Sequence, residues 1–412
     1  MKSVTRRVFL IVAVIITASA CESSSTVTPA RSEPSSASTT RPNGPSGSNP
    51  TTVSAERSLD GEQIVDLTWI SPEQGWALAI SPSCSTGSCA SILATSDSGD
   101  TWSQLSVAPA CPSVRGSQCK GMETDGVGHL GFASANVGYA FGPGLFVTTD
   151  GGHTWAAQSS RPVAALEALG GEVVRITYSH TGCPGPCDWS IEWARAGSTE
   201  WHPVSIPAVD NHNSVQLVRQ DRDVYAAFFG NPASGAGNQQ ADLLVSPDGG
   251  RTWARRSDPC GFSGRTANDA IAIAAAPGGV VGALCTPRGS SESGNFTVIS
   301  LNRARTFGRP RAVPGIDAPS AVALAGPSDV VVANGDISGS GPFTYVLYTS
   351  HDGGQHWTRA VSETPTVDRR LTDGMFLGFQ TATVGRWIGD PSTIWTTTDA
   401  GDHWIPHRFR GP

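Results

Sequence analysis

Thr95-Ser96-Asp97-Ser98-Gly99-Asp100-Thr101-Trp102 is the stretch whose reading decides the fold. It has the form Ser/Thr-x-Asp-x-Gly-x-Thr-Trp, and it returns. Thr148–Trp155 reads TTDGGHTW, Ser246–Trp253 reads SPDGGRTW, Ser350–Trp357 reads SHDGGQHW and Thr397–Trp404 reads TTDAGDHW. The pattern describes a tight hairpin turn. The carboxylates of Asp97, Asp150, Asp248, Asp352 and Asp399 can accept hydrogen bonds from backbone N–H groups inside the turn. The Gly takes a backbone angle that a side chain would forbid. The indole that closes each octet supplies a large apolar body at the root of the next strand.

Spacing turns the octet into a ruler. The closing residues Trp102, Trp155, Trp253, Trp357 and Trp404 leave two gaps near twice the others. Near the middle of the first gap, AGSTEW ends at Trp201, without the Asp. Near the middle of the second, SLNRARTF ends at Phe307, with Asn302 in place of the Asp and Ala304 in place of the Gly. Seven marks at a mean period of about 50 residues mean a repeat architecture. Each unit opens with a short apolar strand, a turn and a second strand beginning with Gly, as in Ile64–Ile70 followed by Gly75-Trp76-Ala77-Leu78. Gly131-Phe132-Ala133 with Gly138–Phe141 and Gly378-Phe379-Gln380 with Gly385–Ile388 repeat it. Weaker versions begin near Ala164, Ser214, Ala270 and Ala321. A third strand leads into each octet and the Trp starts a fourth. Four short strands in each of seven units predict an all-β chain forming one seven-bladed β-propeller over residues 59–412. Each blade comes from one continuous stretch, so the ring is expected to close by packing between blades 1 and 7 with no strand borrowed across the seam, an outer strand added by Val53–Leu59 being the alternative.

Residues 1–20 read as an export signal, with Lys2, Arg6 and Arg7 ahead of the short apolar run Val8–Ile16. Residues 21–58 read as a Ser/Thr/Pro-rich disordered tether. Thr5-Arg6-Arg7-Val8-Phe9-Leu10 resembles a twin-arginine export motif, and a Sec signal is the alternative. Ala18-Ser19-Ala20-Cys21 resembles a bacterial lipobox, although Ala18 stands where Leu is usual. The resemblance implies lipidation at Cys21 and anchoring to the extracytoplasmic face of a bacterial membrane.

Nine cysteines are present, so eight remain when Cys21 is set aside. They fall in sequence-local pairs, Cys84/Cys89, Cys111/Cys119, Cys183/Cys187 and Cys260/Cys285. In an exported chain this reads as four disulfides, with connectivity open. Cys183-Pro-Gly-Pro-Cys187 is near zinc-ligand spacing, but no second Cys/His pair lies close in sequence, and no metal is expected. There are 35 acidic and 28 basic residues. No basic run exists, which argues against nucleic acid as a partner and against membrane contact beyond the lipid.

The octets resemble the Asp-box, or BNR repeat, of β-propellers. One carboxylate per blade around a rim cannot share a substrate, so the Asp and Trp of the octets read as structural. Sialidases carry such boxes, but the Arg-Ile-Pro signature of their first blade is missing here, and no Arg lies between Arg57 and Arg115. Xyloglucan-cleaving propellers use two Asp across a cleft. The corresponding candidates here are Asp66 in blade 1 and Asp373 in blade 7, neighbours after closure. Leu67-Thr68-Trp69-Ile70-Ser71-Pro72-Glu73-Gln74-Gly75-Trp76-Ala77, coupled to an octet, resembles the photosystem II assembly factor family. Sortilin-type receptor propellers share the turn. Both families hold polypeptides, which implies a non-catalytic scaffold or receptor for a cell-envelope protein, peptide or glycan, needing no cofactor and acting as a monomer. Glycoside hydrolysis at the channel mouth is the competing reading. Candidate binding residues are those around the start of each innermost strand: Asp66, Glu123, Asp125, His129, His212, Asn213, Asn268, Asp269, Arg369, Arg370 and Asp373.

Overall fold

The computed structural model describes residues 61–81, 90–111, 126–158, 161–179, 188–210, 212, 214–229, 241–261, 268–287, 294–314, 318–336, 344–363 and 376–409. They form seven four-stranded antiparallel sheets, each built from four consecutive strands. The first strands of the blades are Gln63–Trp69, His129–Phe132, Val163–Leu169, Ser214–Gln220, Asn268–Ala276, Ala318–Leu324 and Leu377–Phe379. First strands of successive blades lie against one another from blade 1 to blade 7, so they are the inner ones. Fourth strands such as Ser103–Val107, His202–Val204 and Ile405–Arg408 are the exposed outer edges. The expected seven-bladed β-propeller is therefore the fold.

The core is a set of layers between blades. Trp76, Leu78, Ile80 and Ile92 of blade 1 pack on Leu130, Phe132 and Ala140 of blade 2. Tyr139 and Val147 of blade 2 pack on Val163, Leu166 and Ala194 of blade 3. Val331, Tyr345 and Leu347 of blade 6 pack on Trp387 and Trp404 of blade 7. The closing layer joins Ile64, Leu67, Ala77, Ala79 and Leu93 to Ile388, Ile394 and Phe409. The second strands are covered on both faces by neighbouring blades, which is why runs such as GWALAI are buried throughout.

The Gly that opens a second strand has a steric cause. A Cβ on Gly75 would lie 2.4 Å from Cδ2 of Trp69, and one on Gly138 would lie 2.6 Å from the Phe132 ring. Gly385 receives Phe379 in the same way, at 2.7 Å. The aromatic that ends the inner strand thus folds back over the Gly that begins the next. The Gly–aromatic pairing read along the chain is one packing unit.

The octets form the expected turns. In blade 1 the Asp97 carboxylate accepts from the Thr101 N–H at 2.9 Å and from the Thr95 hydroxyl at 2.7 Å. Thr95 Oγ1 in turn accepts from the Gly99 N–H at 3.0 Å, and Trp102 Nε1 donates to the Gly99 carbonyl at 3.1 Å. Gly99 sits at φ 95°. Blades 2, 4 and 7 repeat the set. In blade 6 the Asp352 bonds are the same, but Trp357 Nε1 crosses to the Ala312 carbonyl of blade 5 at 2.9 Å. The eroded turn of blade 5 keeps the geometry by exchange of roles. Asn302 Oδ1 accepts from the Thr306 N–H at 3.0 Å, and Asn302 Nδ2 donates to the Thr306 hydroxyl at 2.8 Å. Blade 3, without an acid, is braced from outside: the Gly197 N–H donates to the Tyr139 hydroxyl of blade 2 at 2.7 Å, and Arg175 stacks over Trp201 at 3.8 Å.

Tyr139 belongs to a series. The residue after the strand-opening Gly reaches the turn of the following blade wherever a polar atom is available. Trp76 Nε1 donates to the Gly151 carbonyl at 2.9 Å, and Arg386 of blade 7 donates to the Ser98 carbonyl of blade 1 at 3.2 Å. At two other seams the residue that opens the second strand supplies an acid for the next turn's arginine. Glu172 meets Arg251 at 2.5 Å and Asp223 meets Arg303 at 2.7 Å. The closing seam adds an Ile64 N–H to Pro391 carbonyl bond of 2.6 Å. Among the described residues no strand is borrowed there.

Cys260 and Cys285 form a disulfide across 25 residues, and Cys111 is also disulfide-bonded. Cys84, Cys89, Cys119, Cys183 and Cys187 lie outside the described residues, as does Cys21.

Candidate functional site

Inner strands run toward the octet turns, since Trp69 at the end of the first meets Trp102 edge-on at 5.8 Å. Their starting ends therefore lie at the opposite mouth of the channel. Most residues of these strands are small or apolar, so a charge there stands out. In blade 1 it is Asp66, placed within the strand at a bulge between Ile64 and Asp66. A bulge re-aims a side chain, and Asp66 Oδ2 accepts from the Leu130 N–H of blade 2 at 2.8 Å. His129 opens the inner strand of blade 2, with Nδ1 3.5 Å from Asp66 Oδ2 and its side chain 53% exposed. Burial lowers the imidazole's affinity for a proton, but the Asp66 carboxylate outweighs it and the net shift is upward.

Two further ionisable residues of the inner strands were missed by sequence reasoning. Glu167, in the inner strand VAALEAL of blade 3, is pushed up to about 8. Burial is the main cause; the charge of Asp66 adds to it, and Arg219 opposes it. The shift favours the neutral form of the acid. Arg219, in the inner strand SVQLVRQ of blade 4, is 3% exposed and pairs with Glu172 at 3.5 Å. The available signal was the isolated charge in an otherwise apolar inner strand. Next to it, Gln216 donates to the Ile273 carbonyl at 3.1 Å and accepts its N–H at 2.8 Å, tying blade 4 to blade 5.

The inner strands of blades 1 to 3 thus carry Asp66, His129 and Glu167, while Arg219 is held by Glu172 toward the octet-turn end of blade 4. The first three include a carboxylate, a carboxyl whose proton affinity is raised, and an exposed imidazole at the start of its strand. Such a set can bind a polar ligand, and it can offer a proton from Glu167.

His212 is placed differently from the expectation of an accessible mouth residue. It is 2% exposed, with Nε2 3.0 Å from Asp242 Oδ2. The same carboxylate accepts from the Asp210 N–H at 2.6 Å and meets Arg255 at 2.5 Å. A charge network that anchors the approach to blade 4 has drawn the imidazole inside, and its Nδ1 has no partner. Asn268 and Asp269 begin the inner strand of blade 5. Glu123, Asp125, Asn213, Arg369, Arg370 and Asp373 lie outside the described residues. Among the described residues, no group of three His, Cys, Asp or Glu side chains is arranged to hold a metal ion.

No protein-family model matches the chain, and no curated protein matches it in sequence. Solved structures do. YCF48 from Cyanidioschyzon merolae aligns at 17% identity and a TM-score of 0.50, over 82% of this chain and 96% of that one. A structure of YCF48 bound to D1 peptide aligns at 18% identity and a TM-score of 0.46, over 83% and 92%. An ancestral GH74 enzyme aligns at 12% identity and a TM-score of 0.48, over 86% of this chain and 47% of that one. At such identity the likeness to YCF48 from Cyanidioschyzon merolae concerns the fold alone, and the seven sheets of this chain define the class, a seven-bladed β-propeller.

Proposed function

We propose that the chain is an exported propeller, lipid-anchored at Cys21 on a tether of residues 21–58, that binds a cell-envelope protein, peptide or glycan at the channel mouth opposite the octet turns. It acts as a non-catalytic scaffold or receptor. The observation that carries this reading is the use made of Asp66. Its carboxylate is already the acceptor for the backbone of the next blade, while the exposed group at that level is His129. Rim donors and acceptors on a rigid ring suit recognition. The octet carboxylates are taken up by their own turns, so they support neither binding nor chemistry.

One observation favours the second reading, glycoside hydrolysis. Glu167 is held protonated to about 8, and the charge of Asp66 reaches it. An acid with raised proton affinity, paired with an ionised carboxylate, is the combination that glycoside cleavage requires. A panel of envelope and plant glycans separates the two. The binding reading expects retention without turnover by the wild-type protein. Turnover that Glu167→Gln and Asp66→Asn both abolish would replace it with the hydrolase.

A further inference from the structure

On the octet face, one imidazole spans the seam between blades 6 and 7. His351 occupies the second position of its octet, where the other turns carry Ser96, Thr149, Pro247, Leu301 and Thr398. Its Nδ1 lies 2.8 Å from Asp329 Oδ1, at the turn between the first two strands of its own blade. Its Nε2 lies 2.8 Å from Asp402 Oδ1, in the octet of blade 7. A neutral imidazole has one N–H and one lone-pair nitrogen. Carboxylates only accept. Both contacts are satisfied together only when both ring nitrogens carry protons.

We propose that His351 is a proton-operated clasp between blades 6 and 7, closed as the imidazolium and released when it loses its proton. The other octet-face bond of this seam, from the Thr349 hydroxyl to the Gly401 carbonyl at 2.8 Å, does not titrate in this range. Release therefore loosens one point of the seam and leaves the rest in place. The titratable groups that face the clasp are few. Asp352 and His356 on the same octet bond each other at 2.6 Å, and Asp399 and His403 of blade 7 do so at 2.7 Å. Asp402 also helps hold His403 charged. The hydrogen bond that His351 donates to Asp329 is the main cause that raises it above the ordinary 6.5, with Asp402 next among the raising causes. A histidine raised in the fold stabilises it fully below 6.5 and stops doing so as pH rises through its folded value. With 41% of the side chain exposed, water shares the contacts and the stability effect is small. The clasp tightens with acid, opposite to the usual direction of acid denaturation.

The test is a histidine titration of the protein followed by NMR, with His351 assigned through His351→Gln. The expected result is a midpoint above 6.5, both ring nitrogens protonated at pH 6.5, and a lower midpoint in both Asp402→Asn and Asp329→Asn. A midpoint at or below 6.5, or one unmoved in Asp402→Asn, overturns the proposal. Asp402→Asn keeps the histidine and serves if His351→Gln does not fold. Melting curves give a second readout: the gap between wild type and His351→Gln should be widest below pH 6.5 and close toward pH 9. A gap that does not change with pH contradicts the clasp.

Discussion

Arg386 of blade 7 donates from Nη2 to the carbonyl of Pro72 in blade 1 at 2.7 Å, across 314 residues of chain. The guanidinium is fully buried, stacks on Trp69 at 4.1 Å and also donates to Ser98 and to Gln380. Burial pushes it down to about 10, and no carboxylate touches it; Glu73 acts only from a distance. A charge is tolerated there because three acceptors from two ends of the chain surround it. It is the polar part of ring closure.

Arg386→Ala leaves the Pro72 and Ser98 carbonyls without that donor in a buried seam. The loss is about 2–4 kcal/mol, on the scale of charged hydrogen bonds and the cavity left behind. Arg386→Lys keeps the charge but not the planar fork, and should recover only part of it. Chemical denaturation with a constant m-value checks this. A change within the error of wild type would mean that closure rests on the apolar layer alone.

The octet acids should shape the acid limb of stability. Hydrogen bonds from Thr101, side chain first and then backbone, hold Asp97 at about 2, below the usual 3.8. A depressed acid contributes stability above its unfolded value and loses it as pH falls through its folded value. The melting gap between wild type and Asp97→Asn should be full above pH 3.8 and shrink toward pH 2. Melting across that range checks it.

Glu167 has the opposite sign. Its raised value means that the unfolded chain ionises first, so the group weakens the fold as pH rises from 4.5 to about 8. Glu167→Gln should remove that decline, melting higher than wild type at pH 8 and nearly equal to it at pH 4.5. Difference infrared spectra should show a protonated carboxyl at pH 7 that the variant lacks.

The Cys260–Cys285 bridge links the end of the blade 4 outer region to the second strand of blade 5. A closed loop of 25 residues is worth about 3.5 kcal/mol in the chain-entropy account. Replacing both cysteines with Ala should lower stability by up to that amount without changing the fold, as read by denaturation and circular dichroism.

The fold was legible because the octet is short-range chemistry repeated at one period. Each octet Asp acts within eight residues, as does the indole N–H of Trp102, Trp155, Trp253 and Trp404, and the eroded turns at Trp201 and Phe307 were located by counting alone. The Gly–aromatic openings were visible too, although their cause, Trp69 folding over Gly75, needed the structure. The candidate site was less legible because its members meet across blades. Asp66 and His129 were named, but nothing in the chain order says that Asp66 accepts from Leu130. Glu167 and Arg219 were not named, because the charges that act on them, Asp66 and Glu172 among them, come from other blades. His212 read as a loop residue because its partner, Asp242, comes 30 residues later.

The central claim is that ligands engage the mouth opposite the octet turns. It is tested most directly by photo-crosslinking in the native cell envelope, with the reactive residue at His129 in one variant and at the exposed His356 of the octet face in another. A defined adduct from position 129, absent from position 356 and reduced by Glu167→Gln, is the expected result. Adducts formed equally from both positions, or from position 356 alone, would contradict the account.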